Sequence, residues 1–161
     1  MRIVFVTGMS GAGKRTALKV FEDAGYYCVD NLPVALVMKF VELAASSSGQ
    51  KKDGKAIDNI AMGVDVRSGE TFAGLEAVLD NMTAMNYNYE ILFLEAEDET
   101  LVKRYKETRR NHPLAGDNRI MEGIAREREE ISFLKKRADY IIDTTTLLTR
   151  ELKQEIEKIF V

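Results

Sequence analysis

The stretch Gly8-Met9-Ser10-Gly11-Ala12-Gly13-Lys14 constrains this chain more than any other. Before it lies an apolar, β-branched run, Arg2-Ile3-Val4-Phe5-Val6-Thr7. After it, Ala17, Leu18, Val20 and Phe21 recur at helical spacing. The first segment reads as a strand buried on both faces, the second as an amphipathic helix. A glycine-rich turn between them lets backbone N–H groups converge on a polyphosphate. The positive end of the helix faces the same anion. Candidate nucleotide-binding residues are therefore Gly8, Met9, Ser10, Gly11, Ala12, Gly13, Lys14, Arg15 and Thr16. The amides from Ser10 to Arg15 would form the cradle, and Lys14 would add a point charge on the β and γ phosphates. A structural turn with an exposed lysine is the alternative, and the order strand, loop, lysine, helix argues against it.

One position breaks this P-loop pattern. Ser or Thr is expected directly after the lysine, to hold Mg²⁺ through its hydroxyl. Arg15 stands there, and Thr16 follows. Phosphate binding is supported by the loop; metal coordination by it is not.

Strand and helix signals alternate along the whole chain. Strands are predicted at Ile3–Val6, Tyr26–Val29, Ile60–Val66, Tyr89–Leu94 and Tyr140–Ile142. Helices are predicted from Lys14 to about Ala24, Val34 to about Ala45, Ser68 to about Met85, Asp98 to Arg110, Arg119 to Lys136, and near the end as far as Phe160. Gly25 stops the first helix, and Pro33 opens the second. Residues 46–59 read as a polar surface loop. The pattern predicts an α/β fold of P-loop type: one domain over residues 1–161, with a mostly parallel five-stranded sheet, helices on both faces and a kinase-like helical lid. Ligands of such sheets bind beyond the carboxyl ends of the strands. Asp30, Asp65, Glu95 and Asp143 all fall at those ends.

With 161 residues the chain has length for one core. A net charge of −3 argues against a protein built to coat nucleic acid. The lone Cys28 excludes an internal disulfide and reads as a small buried filler. No apolar run reaches the ~20 residues that span a bilayer. The first residues also lack the layout of a secretion signal, so a cytoplasmic location without membrane contact is expected.

Other residues carry weaker signals. Asp65 ends an apolar strand, as a metal-holding carboxylate does; pairing with Arg67 is the alternative. Asp30 reads equally as a carboxylate that orients an acceptor hydroxyl and as a turn residue bonding backbone N–H groups. Lys103, Arg104, Lys106, Arg109, Arg110, Arg126 and Arg128 bunch in the second half of the chain. As a set they read as a solvated face laced with Glu99, Glu107, Glu127 and Glu129. Arg109 and Arg110, beside the break at Pro113, lean toward contact with phosphates. An RNA contact by this cluster is a third reading. His112 has no nucleophile or metal-ligand spacing around it. Tyr26, Tyr27, Tyr87 and Tyr89 read as core and rim.

Six segments together resemble the N-terminal domain of the RapZ/YvcJ family of bacterial nucleotide-binding proteins. They are GMSGAGK at 8–14, GYYCVDNLP at 25–33, DVRS at 65–68, LFLEA at 92–96, RYKETRRNHPL at 104–114 and ADYIIDTT at 138–145. The resemblance implies ATP and GTP binding with slow hydrolysis. It assigns the P-loop to residues 8–15 and guanine-nucleotide contacts to Asp65, Val66, Arg67 and Ser68. GTP rests on the resemblance alone, since no Asn-Lys-x-Asp motif is present. With the loop, strand-end and basic-segment readings above, the candidate catalytic set is Lys14, Asp65 and Arg109, with Asp65 on Mg²⁺. Family members carry a second domain of similar size, so the chain is expected to be a piece of a longer protein. In the best-known branch that half binds small RNA and an aminosugar phosphate, and the protein is an adapter for an RNase. RNA and protein partners are thus implied through the other half, and a homo-oligomer is compatible. Two further readings stand beside slow hydrolysis: a nucleotide-gated adapter switch with incidental turnover, and a small-molecule kinase.

Overall fold

The computed structural model describes residues 1–47, 58–64, 69–108 and 117–161. Its five strands are β1 (Arg2–Gly8), β2 (Tyr27–Val29), β3 (Asn59–Gly63), β4 (Glu90–Glu95) and β5 (Tyr140–Asp143). The helices are α1 (Lys14–Asp23), α2 (Val34–Ser47), α3 (Gly69–Ala84), α4 (Asp98–Thr108), α5 (Asp117–Arg137) and α6 (Thr149–Phe160). All strand pairs are parallel, in the order β2-β3-β1-β4-β5. Parallel neighbours need crossovers, and the intervening helices supply them.

The central place of β1 follows from its composition. Ile3, Val4, Phe5, Val6 and Thr7 are all buried, as are Ile91 to Glu95 on β4 and Ile60 to Met62 on β3. Each large apolar side chain gains roughly 1.5–3 kcal/mol on leaving water. The strands without a polar face therefore take the middle of the sheet. The edge strands β2 and β5 keep Tyr27 and Ile141 about half exposed. Tyr27 stacks on Phe40 of α2, while Phe21, Tyr26, Tyr140 and Phe160 pack edge to face. The tyrosines at strand ends are core and rim, as their positions suggested.

The sequence and the structure differ mainly at boundaries. β3 pairs only as far as Gly63, although Val64 N–H still donates to Val6 O. Gly25, with φ +93°, ends α1 in the left-handed region as expected of a C-terminal glycine. The surface loop, Asp65 to Ser68 and the break at 109–116 lie outside the described residues, except for the loop's first and last two positions. Among the described residues no helix is long and apolar enough to cross a membrane.

Candidate functional site

The glycine-rich loop leaves the carboxyl end of β1 in the middle of the sheet and runs into α1. Its path is set by three positive-φ glycines, Gly8 (+141°), Gly11 (+86°) and Gly13 (+110°). Gly8 also meets a steric demand. A Cβ there would stand 2.2 Å from Leu94 O, because β1 and β4 pair at this position and Met9 N–H donates to the same oxygen. Gly13 caps α1, and its carbonyl accepts from Ala17 N–H at 2.9 Å.

The loop is held from outside by its carbonyls. Arg104 of α4 donates to Gly11 O at 3.1 Å and to Thr144 O at 2.7 Å. The buried Thr144 hydroxyl donates to Ala12 O at 2.6 Å. A trans peptide sets N–H antiparallel to C=O, so the Gly13 N–H faces away from Thr144. Ala12 N–H turns back to Met9 O at 3.0 Å, which closes a tight turn inside the loop. The first-turn amides of α1 have no carbonyl one turn back within the helix. They and the helix dipole make this end attractive to an anion. Lys14, half-buried, and Arg15, exposed, open the helix.

Ser10 has a different partner. Its N–H donates to one oxygen of Glu127 at 2.7 Å, and its hydroxyl to the other at 2.6 Å. Glu127 belongs to α5, 117 residues further on. Sequence reasoning placed it on a solvated face. The missed signal is periodic: Ile120, Ile124, Glu127, Ile131 and Leu134 recur at spacings of four and three, one inward stripe. Glu127 is half-buried on that stripe, at the rim where the exposed Ser10 meets it.

The carboxylate at the end of β4 anchors the same helix. Glu95, buried, accepts from Arg128 at 2.7 Å, Lys135 at 3.1 Å and Ala96 N–H at 2.9 Å. Arg128 also bonds Asp98 and Ala96 O. Burial pushes the Glu95 carboxyl up, yet these donors outweigh it and hold it below the usual carboxylate range. Arg104 and Arg128 thus leave the solvated basic face to which the sequence assigned them: one braces the loop, the other fixes α5.

Asp30 directly follows β2 and accepts from Asn31 N–H at 2.8 Å, with Asn31 at φ +56°. Its carboxylate lies over Gly63, where a Cβ would come within 2.4 Å of Oδ1. The turn contact is present, and the same carboxylate stands at the carboxyl end of the sheet, where an acceptor would bind. Asp143 likewise bonds its own turn through Thr145, whose donors hold its carboxyl low. Burial pushes the Cys28 thiol up to about 11, consistent with a packing residue. Asp65, Val66, Arg67, Ser68, Arg109, Arg110 and His112 lie outside the described residues.

Magnesium requires oxygen donors. The residue after Lys14 offers a guanidinium instead, and no group of three His, Cys, Asp or Glu side chains suited to a metal occurs among the described residues. A guanidinium cannot ligate Mg²⁺, so Arg15 supplies no side-chain oxygen where the P-loop pattern expects one. A polar cleft of about 560 Å³ opens at the other end of the sheet, lined by Tyr87, Tyr89, Arg137 and Asp139 among others. Its charged groups are already engaged: Arg137 with Asp80 and Tyr89, Asp139 with Ile91 N–H.

Among solved structures, the fold is similar to shikimate kinase from Bacteroides thetaiotaomicron. That match has a TM-score of 0.61 and 19% identity over 98% of this chain and 96% of that one. A gluconokinase from Sinorhizobium meliloti matches with a TM-score of 0.53 and 12% identity, over 96% and 89% of the two chains. These likenesses show a P-loop kinase-like fold. Among curated proteins, a "Nucleotide-binding protein" of Agathobacter rectalis is 55% identical over all of this chain and 53% of its own length. Another of that name, from Lachnoclostridium phytofermentans, is 56% identical over all of this chain and 54% of its length. The chain thus spans about half the length of the curated relatives it matches. The profile of the RapZ-like N-terminal domain covers residues 1–161, and with these relatives it shows that the chain belongs to the RapZ-like N-terminal domain family.

Proposed function

We propose that this domain binds a nucleoside triphosphate, ATP or GTP, through the loop at residues 8–15 and hydrolyses it slowly. The observation that carries the reading is the backbone of that loop. Three positive-φ glycines lead from the central strand directly into the amino end of α1, with Lys14 as its first residue. This arrangement presents amides, a helix dipole and one ammonium to a single anion. The names of the relatives at 55% and 56% identity support it. Lys14 neutralises the outer phosphates in this reading. Asp65 is assigned to Mg²⁺ and, with Val66, Arg67 and Ser68, to the nucleotide. Arg109 is assigned to charge on the transferring phosphoryl group. The replacement of the expected hydroxyl by Arg15 favours weak turnover. Nucleotide occupancy then serves regulation, and RNA or protein partners are engaged through the remainder of the longer protein, in the cytoplasm.

Calorimetric titration with ATP and with GTP, each with and without Mg²⁺, tests the reading. The expected result is saturable binding that weakens at least about tenfold in Lys14→Ala, the loss of a charge-assisted contact. Equal binding by the intact chain and the variant, or none by the intact chain, would contradict it.

A further inference from the structure

We propose that Glu127 is a built-in competitor for phosphate, and that nucleotide binding must release α5 from the loop. The proposal rests on the phosphate-binding reading of residues 8–15. Its evidence is the contact between two elements far apart in sequence. Both carboxylate oxygens of Glu127 are used, one on the Ser10 N–H at 2.7 Å and one on the Ser10 hydroxyl at 2.6 Å. An amide N–H and a hydroxyl on a glycine-rich turn are the donors that a phosphate oxygen would use. A carboxylate offers the same paired acceptors and the same sign of charge.

The contact is built into α5. Glu127, half-buried, stands on the helix face between Ile124 and Ile131, both packed against the core, and meets the exposed Ser10 at the rim of that face. The next residue, Arg128, fixes the register by bonding Glu95, Asp98 and Ala96 O. The carboxylate is therefore delivered to Ser10 by a helix whose rotation is already set.

Two anions do not share one pair of donors. A phosphate chain that reaches Ser10 displaces Glu127, and repulsion between the charges drives that face of α5 away. Because linkage is reciprocal, whatever holds Glu127 on Ser10 weakens nucleotide binding, and bound nucleotide weakens the α5 contact by the same factor. Glu127 then makes the position of α5 report the occupancy of the loop.

The test is calorimetric titration of wild type, Glu127→Ala and Glu127→Gln with ATP and with inorganic tripolyphosphate. It is accompanied by the amide spectrum of each ligand-free chain. Glu127→Ala is expected to bind both ligands about tenfold more tightly, the loss of one charge-assisted contact that had to be broken. Glu127→Gln, which keeps the helix surface and loses the charge, is expected to fall between it and wild type. The Ser10 amide resonance should move in both variants before any ligand is added. Equal or weaker binding by the variants, with wild-type binding intact, would overturn the proposal and leave the nucleotide reading standing. An unmoved Ser10 resonance would overturn it as well. If neither wild type nor variants bind, the nucleotide reading itself fails, and the competitor role falls with it.

Discussion

Gly8 shows how much one missing atom can decide. It pairs with Leu94 at the carboxyl end of the two central strands, and the chain must turn there at φ +141°. A methyl group would sit 2.2 Å from Leu94 O and 2.7 Å from Leu94 N, both backbone atoms of a buried strand. Neither can move without breaking the ladder. Gly8→Ala is therefore expected to cost about 3 kcal/mol or more, from overpacking and unfavourable backbone together. Urea unfolding would show it as a lower midpoint at unchanged slope; a midpoint equal to wild type would refute the steric account. Gly11 is different. An added Cβ would meet only side-chain atoms at 3.8 Å and beyond, so its demand is the backbone angle alone. The glycine pattern was legible in the sequence, but this difference between its members was not, because it depends on which strand lies alongside.

At the scale of elements, α5 is fixed by ion pairs as well as by its apolar stripe. Glu95 is the pivot, with Arg128 and the Ala96 N–H on one carboxylate oxygen and Lys135 on the other. Its folded carboxyl titrates below the unfolded value, which is about 4.3. The stability it contributes is therefore present above that pH and is lost as pH falls through the folded value. Glu90, held low by Arg2, and Asp143, held low by Thr145, act in the same direction. The free energy of unfolding is expected to fall progressively below about pH 4, and to fall less steeply in Glu95→Gln. Chemical unfolding at a series of pH values measures both slopes; identical slopes would remove Glu95 from the account. The sequence marked Glu95 as a residue at a strand end, yet its partners lie 33 and 40 residues away. Helical spacing pairs charges three or four apart and cannot show that Arg128 turns inward to a strand. For the same reason it left Arg104 and Glu127 on a solvated face. The stripe from Ile120 to Leu134 is the signal that was available for Glu127.

Over the whole molecule, the alternation of strands and helices was legible because its causes are local: β-branched runs, apolar spacing, a stopping glycine and an opening proline. The order β2-β3-β1-β4-β5 was not. It follows from which strands lack a polar face and from closures between distant residues. One such closure joins the start of the chain to α6. Arg2 bonds Glu90 at 2.6 Å and Ile159 O at 3.2 Å, and lies 4.7 Å over the Phe160 ring, while the Tyr26 hydroxyl bonds Phe160 O. These contacts gather at the amino ends of the strands and leave the carboxyl ends to the glycine-rich loop, Asp30, Glu95 and Thr144. The molecule is thus tied at one end and equipped with donors for an anion at the other.

The most direct test of that assignment is an amide spectrum recorded while ATP is added. Binding in the loop predicts saturable shifts for Gly11, Gly13, Lys14 and Arg15, larger than any elsewhere in the chain. Shifts centred on Tyr87, Tyr89 and Arg137 at the opposite end of the sheet, or no saturable shifts at all, would contradict it.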